Sequence, residues 1–282
     1  MTVNPMKTLK RSSLVILLAI LVGGISASPL FAQEYKEAYN AGIEAAKAKN
    51  YDEAYTKFTT AAKLARQEGD NDIAERASKV AAQIDYNLGK RALDSNAEQA
   101  LQRFEAGIEL YPKYSNNYLG KALALKRLNR DEDAIAAYEE LIAFGEANND
   151  TEAVQEGQKG IRDHYVYLAS SALGRRAEPT AAEAREALGY LEKMQEYVEA
   201  DADTYFYMAA ANNALGNYDE AITLADRALE MHKGSRTDAA KIYFVKGEAL
   251  MYGGNTAAAK EAFQNATYGS YKSLAEHYLE NL

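Results

Sequence analysis

Small and large residues recur along this chain at the three- and four-residue spacing of an α-helix face. A small residue stands at Gly42, Gly89, Ala122, Ala169, Ala209 and Gly247, each within an apolar run of helical period. Between these markers a second pattern returns, in which a small, a large and a small residue stand four and then three apart. It reads Ala54-Phe58-Ala61, Ala100-Phe104-Gly107 and Ala259-Phe263-Ala266, with Leu141 as the third member in Ala134-Tyr138-Leu141 and no large member in Ala221-Ala225-Ala228. Ala184, Leu188 and Leu191 fit more loosely, behind a stretch at 174–180 that contains Pro179 and reads as a loop. The alternation of the two patterns predicts paired helices. Period-two alternation is hard to find and prolines are few, so the chain reads as all-helical. The spacing is longer ahead of Gly89 and of Ala169, which requires extended helices or enlarged loops there.

Helix boundaries are marked as well. Asn50-Tyr51-Asp52-Glu53-Ala54 and Asn217-Tyr218-Asp219-Glu220-Ala221 place an Asn where an N-cap belongs and a Glu three residues on, the spacing of a capping box. Asp52 and Asp219 add negative charge in the first turn, where the helix dipole favours it. Gly216 and the Gly253-Gly254 pair suit the left-handed residue that ends a helix.

This arrangement resembles the tetratricopeptide repeat (TPR) family, whose units are helical hairpins of about 34 residues. The resemblance implies an all-α, right-handed α-solenoid of about six TPR-like hairpins over residues 33–268. Residues 269–282 continue as an amphipathic helix, with Tyr271, Leu274, Ala275, Tyr278, Leu279 and Leu282 on one stripe. That helix is expected to cap the last hairpin, or alternatively to dock a partner or a second copy.

Residues 1–32 have a different character. Lys7, Lys10 and Arg11 form a basic start, residues 14–22 are almost continuously apolar, and small residues lead to Ala32-Gln33. This is the layout of a secretory signal peptide, with an apolar run short for a membrane span. Cleavage is expected near Ala32, with Ala27 as a second site and an uncleaved anchor as the alternative. The expected address is exported, periplasmic or secreted, with no stable membrane span after cleavage. The chain contains no cysteine, which excludes disulfides, thiolate metal sites and a lipid-bearing cysteine after the leader. Its formal charge of −9 argues against nucleic acid, whose phosphates call for a basic stripe.

Catalytic chemistry finds little footing. His164, His232 and His277 are far apart in sequence and have no second ligand at metal-site spacing. No nucleophile elbow or glycine-rich phosphate loop occurs, and neighbouring acids such as Glu139-Glu140 read as solvated charge. No enzyme activity, cofactor or metal is therefore expected.

What remains is surface. In the family that the chain resembles, the first helices of successive hairpins line a concave face where partner peptides lie. Three places before each small marker stand Tyr39, Tyr86, Leu119, Val166, Phe206 and Phe244, all apolar or aromatic. Three places further back stand Lys36, Gln83, Asn116, Asp163, Asp203 and Lys241, all polar. An apolar lane with a polar rim fits a groove for a peptide or helix, with Asn116 joining the lane as partner-binding residue. Packing between hairpins accounts for the same six positions equally well. The resemblance therefore implies a non-catalytic protein-interaction scaffold of the cell envelope. The alternatives are an assembly subunit that uses its convex face or C-terminal helix, or a solenoid that binds small molecules or glycans.

Overall fold

A computed structural model describes residues 30–175 and 178–282 of the chain; most of the expected leader lies outside them. Among the described residues there are thirteen α-helices and no strand. They run α1 (Leu30–Lys47), α2 (Tyr51–Gln67), α3 (Asn71–Ala92), α4 (Ala97–Leu110), α5 (Ser115–Arg127), α6 (Asp131–Asn148) and α7 (Thr151–Leu173). There follow α8 (Ala181–Gln195), α9 (Ala202–Ala214), α10 (Tyr218–Met231), α11 (Arg236–Tyr252), α12 (Thr256–Asn265), a 3-10 turn (Gly269–Tyr271) and α13 (Lys272–Asn281). Each helix packs chiefly on its sequence neighbours, so α1 to α12 form six stacked hairpins and α13 rests on the last. The two long spacings are absorbed by helices: α3 has 22 residues and α7 has 23.

The turns are built alike. Lys49, Gly69, Asn129, Asn149, Gly216 and Gly254 all have positive φ, between 55° and 89°, and each directly precedes the N-cap of the next helix. In each case the following N–H reaches back to the carbonyl five residues earlier, as Asn50 does to Ala45 at 2.9 Å and Asn255 to Leu250 at 2.8 Å. This is the Schellman ending, which satisfies orphan carbonyls while turning the chain sharply enough for two helices to pack. The same short turn, repeated, keeps successive helices antiparallel and in contact.

Capping departs in detail from the sequence expectation. Asn50 and Asn217 are N-caps, but neither side chain bonds the helix; the Asn217 amide donates instead to Asn212 at 3.1 Å. The reciprocal capping boxes are Thr180 with Glu183 and Ser235 with Asp238. Asp70, Asn96, Asp150, Asp201 and Asn255 accept single cap bonds.

In the first, second and sixth hairpins the small marker of the first helix meets the large residue of the second. A methyl group at Gly89 would stand 2.8 Å from the Phe104 ring, and one at Gly247 would stand 2.8 Å from Phe263. Phe58, Phe104 and Phe263 are at most 1% exposed. Burying each ring is worth about 1.5–3 kcal/mol. Much of the rest of the core is alanine, which lets helices approach closely but adds little area per residue. An ion-pair chain ties the second hairpin to the first. Asp85 is fully buried on α3 and meets Arg103 of α4 at 3.2 Å, while the same guanidinium reaches Asp52 at the start of α2 at 2.9 Å.

One asymmetry defines the shape. The first helices of successive hairpins approach each other from α3 through α5, α7 and α9 to α11, whereas no pair of second helices makes a comparable approach. In a curved stack the layer whose members come closest is the inner one. The odd-numbered helices therefore form the inner wall of the stack. Among the described residues, no helix is long and apolar enough to cross a membrane.

Candidate functional site

The inner wall carries all the groove positions expected from the sequence, but the structure does not treat them alike. Tyr39 on α1 is half-buried and meets Phe58 edge-on, with ring centroids 5.3 Å apart. Tyr86 on α3 is half-buried between Phe104 at 6.1 Å and Tyr114 at 5.8 Å. Leu119 on α5 and Val166 on α7 are half-buried against the cores of their own neighbourhoods, and Asn116 is half-exposed one turn before Leu119. Phe206 and Phe244 are in the core, 6% and 7% exposed. For these two rings inter-hairpin packing, the second of the two roles open to them, is what the structure assigns. Phe206 lies under Lys241 of α11, and Phe244 under Tyr271 and Tyr278 of the C-terminal segment.

The physical reason is what lies over each ring: Lys241 of α11 covers Phe206 and the C-terminal segment covers Phe244, whereas Tyr39, Tyr86, Leu119 and Val166 keep a free side. At the chain end, α13 takes the place that a seventh hairpin would occupy.

Polar companions also differ along the wall. Toward the C-terminal half they bind one another. Arg162 lies 2.8 Å from Asp163, 2.6 Å from Asp201 and 3.3 Å from Asp203, and Lys241 reaches Asp203 at 2.7 Å. This ladder joins α7, α9 and α11 across three hairpins. Burial pushes the Asp203 carboxyl up, but Lys241 and Arg162 together outweigh it and hold it below the usual aspartate value. Asp163, Asp203 and Lys241 occupy equivalent repeat positions, so the sequence pattern places them together; Arg162 and Asp201 lie outside that pattern. Beside the ladder lies an open cleft of about 700 Å³ whose lining includes Asp201, Met231, His232, Lys233 and Asp238. In the N-terminal half, Lys36 stands 5.6 Å from the Tyr35 ring and Lys90 6.0 Å from the Tyr86 ring.

The histidines are dispersed. His164 is buried beside the Tyr165 ring, 3.8 Å from Asp131; burial lowers its pKa, with Asp131 opposing. His232 caps α10 and His277 lies on α13. Among the described residues no group of three or more His, Cys, Asp or Glu side chains is placed to hold a metal ion. Two carboxylates, fully buried Asp85 and half-buried Glu248, were not singled out by the sequence. Burial drives Asp85 up to about 6 against the pull of Arg103, and drives Glu248 up to about 7 against a bond from Tyr278. Neither belongs to a recognisable motif, so only the packing reveals them.

No family model and no curated protein sequence matches the chain. Several solved structures are similar to it. MamA (residues 41 to the end) from Desulfovibrio magneticus RS-1 shares 15% identity at a TM-score of 0.40, over 71% of this chain and 95% of that one. YrrB, described as a TPR protein with an unusual peptide-binding site, shares 18% identity at a TM-score of 0.40, over 71% and 92%. PilW, described as a widely conserved type IV pilus biogenesis factor, shares 15% at 0.36, over 86% and 99%.

Proposed function

We propose that the chain is a non-catalytic scaffold that holds a peptide or helix of a partner protein along the inner wall of its hairpin stack. The observation that carries this reading is the half-open row of Tyr39, Tyr86, Asn116, Leu119 and Val166 on the first helices of four successive hairpins. Rings fixed on one side by a rigid core and free on the other bind with little loss of side-chain entropy. Phe206 and Phe244 contribute by fixing the wall beneath them rather than by direct contact.

The leader layout at residues 1–32 supports an exported protein, periplasmic or secreted, cleaved near Ala32. A scaffold of this kind needs no cofactor, and the acidic surface of the chain suits a protein partner better than nucleic acid.

The test replaces Tyr39→Leu and Tyr86→Leu together, which keeps the buried half of each site filled. Parent and variant are used as baits in envelope extract and compared side by side. A partner captured by the parent is expected to be lost, with helical content unchanged. Retained capture by this variant, combined with loss on deleting residues 270–282, would instead assign an assembly role through the C-terminal helix.

A further inference from the structure

Charge is divided between the two layers of the stack. In the outer layer α6 carries Asp131, Glu132, Asp133, Glu139, Glu140 and Glu146 and no base, and α10 sets Asp219, Glu220, Asp226 and Glu230 against Arg227 alone. On the inner wall α5 carries Lys121, Lys126 and Arg127 and no acid. α3 holds both signs, but each of its acids is spent, Asp72 on Arg76 at 3.0 Å, Glu75 on Lys113 at 3.0 Å and Asp85 on Arg103 at 3.2 Å. The net acidity of the chain therefore comes chiefly from its second helices.

Two of the wall's cations stand on the same helix face as its apolar lane. Lys90 follows Tyr86 by four residues, and its ammonium lies 6.0 Å from the centre of that ring. Lys126 follows Leu119 by seven residues, two helical turns along α5. Both are half-buried, and among the described residues neither forms an ion pair or a side-chain hydrogen bond. Their neighbours are spent, since Lys121 reaches Glu140 at 2.7 Å and Arg127 reaches Asp94 at 2.9 Å. The acid facing this stretch is Glu156 of α7, whose charge acts on Tyr86. Lys159, three residues beyond it, is exposed and unpaired among the described residues, so the stretch keeps an excess of positive charge. Further along the wall the charges bind one another in the Arg162 ladder.

On the reading that the inner wall is the contact face, we infer that the partner segment held there is acidic, with carboxylate side chains set among apolar or aromatic anchors. Tyr86 and Leu119 receive the anchors, while Lys90 and Lys126 receive the carboxylates. A lysine whose stem is already packed pairs at less entropic cost than one that is free on the surface. The two cations belong to different helices, so they suit carboxylates spaced along a segment better than a single chain terminus. The same segment is repelled by α6 and α10, and charge thereby directs it to one face of the stack.

A random linear peptide library panned against the full chain tests the charge of the segment. Groove binders are the selected peptides that lose binding when Tyr39→Leu and Tyr86→Leu are introduced together. They are expected to be rich in Asp and Glu, and to weaken about fivefold with Lys90→Gln and Lys126→Gln combined and further at high salt. Circular dichroism should report unchanged helix content in that variant, and Lys260→Gln, exposed on α12, should leave their affinity unchanged. Groove binders that are neutral or basic, or that ignore the loss of both lysines, would overturn the acidic segment while the groove reading stands. If every selected peptide ignored Tyr39→Leu and Tyr86→Leu, the groove reading would fall and the acidic segment with it.

Discussion

The Lys241 ammonium stands 2.7 Å from the Asp203 carboxylate while lying 4.7 Å from the centre of the Phe206 ring. One side chain thus seals an apolar ring and ties α11 to α9. With Arg162 it forms a charged ladder that fixes the spacing of three first helices. Removing the guanidinium by Arg162→Met leaves three aspartates near one another, and is expected to cost about 1–2 kcal/mol, less at high salt. Denaturant unfolding at two ionic strengths measures both.

The ladder also has a pH signature. Because Asp203 is held below its ordinary value, its contribution is present above the unfolded aspartate range and is lost as pH falls through the folded value. Melting curves from pH 6 down to pH 3 should show a smaller acid loss for Asp203→Asn than for the parent.

The glycine markers separate close packing from mere helix propensity. Gly89→Ala puts a methyl group against Phe104 and is expected to destabilise by about 1–3 kcal/mol, with partial rescue by Phe104→Leu. Gly189 on α8 has open space where its Cβ would stand, so Gly189→Ala is expected to stabilise by about 0.5–1 kcal/mol. Urea midpoints of the two variants should move in opposite directions.

Turn strain is localised at Lys49, which holds φ of 63° in a slot that glycine fills in three of the other five turns. Lys49→Gly removes a left-handed penalty that exceeds the added freedom of the unfolded chain. A gain of about 0.5–1 kcal/mol is expected in thermal unfolding. Asn129→Gly should gain less, since Asn tolerates that conformation.

Much of this architecture was legible in the sequence because hairpin repeats write small and large residues at fixed helical offsets. Gly89 with Phe104 and Gly247 with Phe263 meet as that spacing requires. Gly216 and Gly254 likewise take the left-handed conformation expected of them. Caps were less legible. Asn50 and Asn217 have the right residue and spacing, yet neither side chain bonds its helix and the Asn217 amide turns to Asn212, while Thr180 and Ser235 form the reciprocal boxes. Side-chain exposure on the inner wall was not legible at all. Tyr39 and Phe206 occupy the same repeat position, and the side chains laid over Phe206, Lys241 among them, seal it while Tyr39 stays half-open. Glu248 could not have been singled out, because its setting is made by Tyr278 from a helix 30 residues away.

The most direct test of the scaffold reading places a photo-cross-linking side chain at Asn87 or Asn116 on the inner wall, and at Gln102 or Lys260 on α4 and α12 of the outer layer. Irradiation in cells, followed by identification of the adducts, reads which wall meets a partner. Adducts to one partner from Asn87 and Asn116, with none from Gln102 or Lys260, are the predicted result. Adducts confined to the outer positions would contradict it.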